Sequence, residues 1–154
     1  MDYSTPRYTA GEDIANSITH AIGFFLCIMG LCLLIALSRA HGDAWHLVSC
    51  VIYGSTLVFL YTASTLYHSI HPAKLKPLLR TLDHSTIFLL IAGTYTPFTL
   101  VTLRGPWGWS LFAVIWALAV FGIIFQKMML RKRPMVSVGF YLLMGWVMIA
   151  AVKP

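Results

Sequence analysis

Five long apolar runs constrain the fold of this chain of 154 residues more than any other feature. They lie near residues 17–38, 46–68, 85–103, 107–127 and 134–152. Each is close to the roughly 20 helical residues that cross a bilayer core of about 30 Å. Inside lipid a helix pairs its own backbone groups, so runs of this length favour helices. The sequence therefore predicts an all-α polytopic transmembrane helix bundle that forms a single membrane domain over residues 1–154.

The balance of apolar and charged residues supports a membrane location. Hydrophobic residues make up 58% of the chain and charged residues only 10%, whereas a soluble domain carries about 25% charged residues. The net charge of +6 comes from Lys and Arg in short clusters between the apolar runs. No stretch interleaves basic and aromatic residues as a nucleic-acid surface does. We therefore expect membrane lipids, and not nucleic acid, as the surroundings and partners of this chain.

The positions of the basic residues predict the orientation of the bundle. Eight of them fall on the side of the N-terminus and three on the other side; the eight are Arg7, Lys74, Lys76, Arg80, Lys127, Arg131, Lys132 and Arg133, and the three are Arg39, Arg104 and Lys153. Cytoplasmic loops carry the excess of Lys and Arg. The N-terminus is therefore predicted to be cytosolic. Trp45, Trp107 and Trp109 lie at the opposite ends of the spans, as interfacial tryptophans do.

Polar residues recur near the cytosolic ends of the first three predicted helices. They are Glu12, Asn16 and His20 on the first, Ser64 and His68 on the second, and Asp83 and His84 at the start of the third. A spacing of four places residues on one helix face, within about 80° over two such steps. Ionisable residues at membrane depth are costly and mark functional sites. Three helices that present polar groups at one depth indicate a shared polar cavity or a metal site.

Zinc chemistry fits these residue types. A catalytic zinc ion takes three protein ligands, often imidazoles, and a water whose pKa it lowers to about 7. His68 offers such an imidazole. Asp83 would orient a ligand or the water, or act as a base, and Ser64 would donate to the water or to a developing oxyanion.

Structural roles compete with these assignments. His68 and Asp83 could form an interhelical hydrogen bond that only holds the bundle together. The three polar residues of the first helix could be a capped helix start, since acidic residues favour a helix N-terminus. His71, beside Pro72, is expected to be solvated. His84 fits either a metal ligand or a position at the lipid interface.

Pro97 lies inside the third apolar run. A proline removes one backbone donor and distorts the helix around it, and neighbouring groups in a membrane bundle can pair with the carbonyl that is released. We therefore expect a kink in the third span.

The ordered motifs resemble a known family. Glu12, Asn16 and His20 at intervals of four, Ser64 and His68 at the same interval, and the pair Asp83-His84 leading into the segment IAGTYTP are similar to the haemolysin III branch of the progestin and adipoQ receptor family, over Gly11 to Lys153. That family has seven membrane helices, so five spans of an expected seven are present here.

The resemblance implies a zinc site near the cytosolic face of a bacterial cytoplasmic membrane. His68 matches the first histidine ligand, and Ser64 and Asp83 match positions that orient the bound water. Relatives of this family are linked to the hydrolysis of lipid amides such as ceramide. The implied activity is therefore that of a zinc-dependent membrane hydrolase. The alternative is a non-enzymatic, membrane-active protein involved in cytolysis, pore formation or membrane homeostasis.

One departure from the family limits this interpretation. The family takes its other two zinc ligands from an H-x3-H motif on its seventh helix, and no such motif occurs in this sequence. We expect the chain to be truncated before the last two helices, so that the zinc site is incomplete. His20, His71 or His84 would otherwise have to complete it. An unfilled polar groove would also favour a homo-oligomer.

Overall fold

The computed structural model describes residues 9–129 and 134–151. Its helices are α1 (Ala10–His41), α2 (Ala44–Ser69), α3 (Lys76–Pro97), α4 (Pro106–Met129) and α5 (Pro134–Ala151), with a π-helical turn at Phe98–Thr102. Four helical segments of the described chain are long and apolar enough to cross a membrane, and Met135–Val147 is a shorter apolar stretch. The predicted all-α membrane helix bundle is confirmed. Some basic residues of the orientation count lie outside the described residues: Arg7, Arg131, Lys132, Arg133 and Lys153.

Two helices begin well before the apolar runs that predicted them. α1 begins at Ala10, where Thr9 and Glu12 form a capping box. α3 begins at Lys76, with proline in its first turn, where the missing N–H costs nothing. The sequence had suggested that Asp83 opens the third helix. In the structure Asp83 lies about two turns inside α3. Apolar runs mark the part of a helix that lipid surrounds, and polar residues extend the helix beyond it.

Small residues allow the helices to approach closely. α1 packs against α2, α2 against α3, and α3 against α4, while α5 contacts both α3 and α4. A Cβ on Gly23 of α1 would collide with the Tyr61 ring of α2, and a Cβ on Gly93 of α3 would collide with the Thr56 side chain. Membrane helices associate through such contacts because lipid offers little hydrophobic driving force between helices.

The buried core lies between α3, α4 and α5. It consists of Phe88, Ala92, Tyr95, Ile115, Ala119 and Met144. The Tyr95 hydroxyl lies 2.9 Å from the Met144 carbonyl and 2.7 Å from that of Gly145, to which it donates. α1 stands apart from this core: large apolar side chains along it are exposed, among them Ile18, Ile22, Phe25, Leu26, Met29 and Leu33.

Pro97 changes the helical hydrogen-bond pattern after α3. The chain continues from Pro97 into the π-helical turn, in which Leu103 N–H donates to the Phe98 carbonyl at 2.9 Å. Thr96 and Thr99 hydroxyls donate to the carbonyls of Ala92 and Tyr95. The disturbance predicted for Pro97 is therefore a widened helical turn with threonine hydroxyls bonded to the backbone around it.

The opposite end of the bundle is held by contacts around Asp43. This residue caps α2, accepting from the backbone N–H groups of Trp45 and His46, and its carboxylate also accepts a hydrogen bond from Arg104. The Arg104 guanidinium, and after it His46, hold the pKa of the Asp43 carboxyl well below its ordinary range. The Trp45 and Trp109 rings meet edge to face, 5.4 Å apart. The α1–α2 connection is thereby joined to the segment before α4.

Candidate functional site

A buried carboxylate–imidazole pair joins α1 to α2. His68 Nδ1 lies 2.8 Å from Asp13 Oδ1, and the two side chains are 7% and 11% exposed. Burial of a charge in apolar surroundings is costly unless the group is paired and hydrogen-bonded. Since each side chain supplies the hydrogen-bonding group that water would otherwise provide, the pair forms a defined polar centre at this end of the bundle.

Asp13 was not identified as a site residue from the sequence, and its neighbour Glu12 was named instead. Glu12 is exposed and accepts from Thr9 N–H at 2.7 Å as part of the helix cap. Asp13 and His20 are seven residues apart, which places them within about 20° of each other on α1. This i, i+7 spacing is a sequence signal that points to Asp13 as the inward-facing acid.

His20 lies directly beside His68. The two imidazole rings are parallel within 1°, with centroids 5.8 Å apart, and the Tyr61 ring is 5.7 Å from that of His20. The Nδ1 atom of His20 is buried and has no hydrogen-bond partner among the described residues. The structure thus brings together His20 and His68, whereas Asn16 is half-buried and contributes its carbonyl to Thr19.

Two nitrogen atoms of neighbouring side chains face the second carboxylate oxygen of Asp13. His71 Nε2 and Lys76 Nζ each lie 3.9 Å from Oδ2. Lys76 also donates to the carbonyls of Tyr67 at 2.6 Å and Ile70 at 3.3 Å, at the end of α2. A cation at the carbonyl end of a helix is favourable. The His71 side chain is 65% exposed, as its place beside Pro72 predicted.

Asp13, His20 and His68 form a polar cluster. Ser64 and Asp83 border this cluster, and neither contacts Asp13 directly in the described structure. Ser64 is buried one turn before His68 on α2, so both project from the same face. Asp83 interacts electrostatically with His20. Its Oδ2 lies 3.5 Å from His84 Nδ1, which in turn is 2.9 Å from the Arg80 carbonyl.

His84 belongs to a different set of contacts. Its backbone carbonyl accepts a hydrogen bond from the Tyr141 hydroxyl at 2.9 Å, which links α3 to α5. Of the polar residues predicted to converge, the structure places His20 of α1 beside His68 of α2, next to Asp13, with Ser64 one turn from His68.

The donor atoms of the cluster match zinc in type but not in number. Imidazole backed by a carboxylate is a common zinc ligand. Among residues 9–129 and 134–151, however, no group of three or more His, Cys, Asp or Glu side chains is placed to hold a metal ion. The described residues do not by themselves form a complete catalytic zinc site, which needs three protein ligands.

Comparisons with known proteins identify a family and relatives of this chain. Residues 8–154 match the family described as haemolysin-III related. Hemolysin-3 of Bacillus cereus is 52% identical over 143 residues, which cover 93% of this chain and 65% of that protein. A Hemolysin-3 homolog of Bacillus subtilis is 47% identical over 147 residues, covering 96% and 69%.

A more distant similarity reaches animal proteins. The human monocyte to macrophage differentiation factor is 32% identical over 158 aligned positions, covering 95% of this chain and 64% of that protein. This similarity supports the expected link to the progestin and adipoQ receptor family. No solved structure matches the chain. The chain spans about two thirds of the length of these relatives, and it belongs to the haemolysin-III related family of integral membrane proteins.

Proposed function

We propose that this chain carries part of the site of a zinc-dependent membrane hydrolase that cleaves lipid amide-type bonds. The observation that supports the proposal is the buried His68–Asp13 pair with the His20 ring stacked against it. We place this end of the bundle on the cytosolic side of a bacterial cytoplasmic membrane, because the excess of Lys and Arg lies there.

The residues of the chain would divide the work as follows. The chemistry that zinc would supply when bound is a water of lowered pKa and polarisation of the scissile carbonyl. His68 provides an imidazole ligand, and Asp13 holds its ring in place. Ser64, on the same face of α2, donates a hydrogen bond near the reacting carbonyl. Asp83 accepts a proton or orients the water.

The described residues hold no three-ligand group, so the proposed site needs further ligands. The relatives are longer than this chain, which spans 65% of the Bacillus cereus protein. The test therefore uses two proteins: the 154-residue chain, and a version extended to the length of its relatives.

Zinc content of the detergent-purified proteins is the first measurement. We expect stoichiometric zinc in the extended protein, loss of zinc in its His68→Ala variant, and no loss in His41→Ala, a histidine at the other end of α1. Cleavage of a short-chain fluorescent ceramide should follow the zinc content. Zinc that is unaffected by His68→Ala would overturn the assignment of this cluster as the metal site.

A non-enzymatic membrane activity is the second candidate. It is favoured by the names of the two bacterial relatives, Hemolysin-3 and Hemolysin-3 homolog, and by the exposed apolar side chains along α1. This candidate predicts dye leakage from liposomes that persists in His68→Ala and Asp83→Ala. Leakage abolished by either substitution would instead tie membrane damage to the polar cluster.

A further inference from the structure

We propose that Asp13 is a positioning residue that keeps the proton of the neutral His68 ring on Nδ1, so that Nε2 carries the ring lone pair. That Nε2 is then the atom presented to a metal ion rests on the proposed function. The assignment of the proton to Nδ1 does not depend on it.

The hydrogen bond between the two side chains sets the tautomer. A carboxylate oxygen only accepts hydrogen bonds, so at 2.8 Å from Asp13 Oδ1 the Nδ1 atom is the donor. Which ring nitrogen is protonated is fixed by the partner of the other one. Because both side chains are about nine-tenths buried, water competes poorly for this hydrogen bond.

The carboxylate itself is held from its other side. Oδ2 faces Lys76 Nζ and His71 Nε2, each at 3.9 Å. Lys76 is in turn anchored to the final carbonyls of α2 and lies over the Tyr67 ring, 4.8 Å from its centroid. Asp13 is therefore restrained at both oxygens by groups from α2 and from the start of α3.

Contacts with two neighbouring rings also restrain the His68 imidazole. The His20 ring is parallel to it, and the Tyr67 ring meets it edge to face at a centroid distance of 4.8 Å. These two ring contacts and the Nδ1 hydrogen bond together restrain the orientation of the ring. Carboxylates that orient ligand histidines in this way typically change metal affinity 10- to 100-fold when they are removed.

Nitrogen-15 NMR of histidine-labelled protein tests the tautomer without any metal. In spectra recorded with the histidine rings neutral, we expect the His68 signals, assigned by their absence in His68→Gln, to show a protonated Nδ1. In Asp13→Asn we expect a mixture of tautomers. Glu12→Gln, the neighbouring acid that only caps α1, is the matched control and should behave as the unsubstituted protein does.

The outcomes distinguish the position of the proton on His68 from the binding of a metal ion by its Nε2 atom. A protonated Nε2 in the unsubstituted protein would overturn it without reference to any variant. A pure Nδ1–H signal that persists in folded Asp13→Asn would overturn the role of Asp13. In the extended protein, zinc affinity should fall about 10- to 100-fold in Asp13→Asn and stay constant in Glu12→Gln. If no zinc binds while the tautomer is as expected, the proposed function fails and the positioning role stands.

Discussion

Asp13 and His68 are 55 residues apart in the sequence, and their side chains are joined by a hydrogen bond of 2.8 Å. The bond connects the first turn of α1 with the last turn of α2. Only 8% of the surface of Asp13 and 6% of that of His68 remain exposed. If one partner is removed, the other stays buried without the group that compensates its lost hydration.

The energetic coupling of this pair is open to a double-mutant cycle with Asp13→Asn and His68→Gln. We expect a coupling on the order of 1 kcal/mol, because interhelical hydrogen bonds in membranes contribute about 0.6 to 2 kcal/mol. Reversible unfolding in mixed detergent measures it. The parallel cycle with Glu12→Gln and His68→Gln should give almost none, since Glu12 is exposed. Equal values in both cycles would contradict the pairing.

Gly93→Ala should destabilise the protein, although alanine is the better helix former by about 1 kcal/mol. The added methyl group would collide with Thr56 of α2 and force α2 and α3 apart, at a cost of about 1 to 3 kcal/mol. Gly30→Ala is the matched control, because no atom lies within 4 Å of its added Cβ. Thermal unfolding in detergent checks both. A stabilised Gly93→Ala variant would show that the helices are not in this close contact.

Acidification should weaken the contact between Asp43 and Arg104. The pKa of Asp43 is lowered by Arg104 and then by His46, so its contribution is complete above the unfolded-state pKa of about 3.9 and is lost as the pH falls through the lower folded-state value. Both side chains are about half exposed, so the effect should be small and reduced by salt. Asp43→Asn, which keeps an acceptor for the α2 cap, should unfold with a weaker pH dependence below about pH 4. An unchanged pH profile would contradict the pairing.

Cysteine labelling tests the orientation of the bundle. In a background without Cys27, Cys32 and Cys50, we expect a membrane-impermeant maleimide to label His41→Cys on intact cells. His71→Cys, which is exposed at the opposite end of the bundle, should react only after the cells are opened. The reason is the excess of Lys and Arg on the His71 side. The reverse pattern would invert the assignment.

The helical architecture was predictable because each run is apolar and long, and the meeting of α1, α2 and α3 at one end followed from their alternating directions. The choice between Glu12 and Asp13 was harder to predict. Both acids lie in the first turn of one helix, and the rotation of α1 against α2 decides which one is buried. That rotation depends on contacts such as Gly23 against Tyr61, which are 38 residues apart and follow no periodic pattern.

Contacts between irregular segments were beyond sequence reasoning for a different reason. Asp43 and Arg104 are 61 residues apart and belong to two short connections, whose meeting depends on the packing of all the helices between them. Pro97 indicated a disturbed helix, but its form, a π-helical turn over Phe98–Thr102, depends on how the threonine hydroxyls and neighbouring helices take up the displaced backbone.

Two contacts, one at each end of α1, constrain the number of residues in this helix. Asp13 bonds His68 at one end, and Asp43, just past the other end, bonds Arg104. Inserting or deleting a single residue between them would turn one end relative to the other by about 100°, so that both contacts could not form together. Substitutions on the exposed apolar face of α1 leave this phase unchanged. We therefore expect α1 to tolerate substitutions far better than insertions or deletions. The number of residues between Asp13 and Asp43 sets the angle of Asp13 around the helix relative to Asp43.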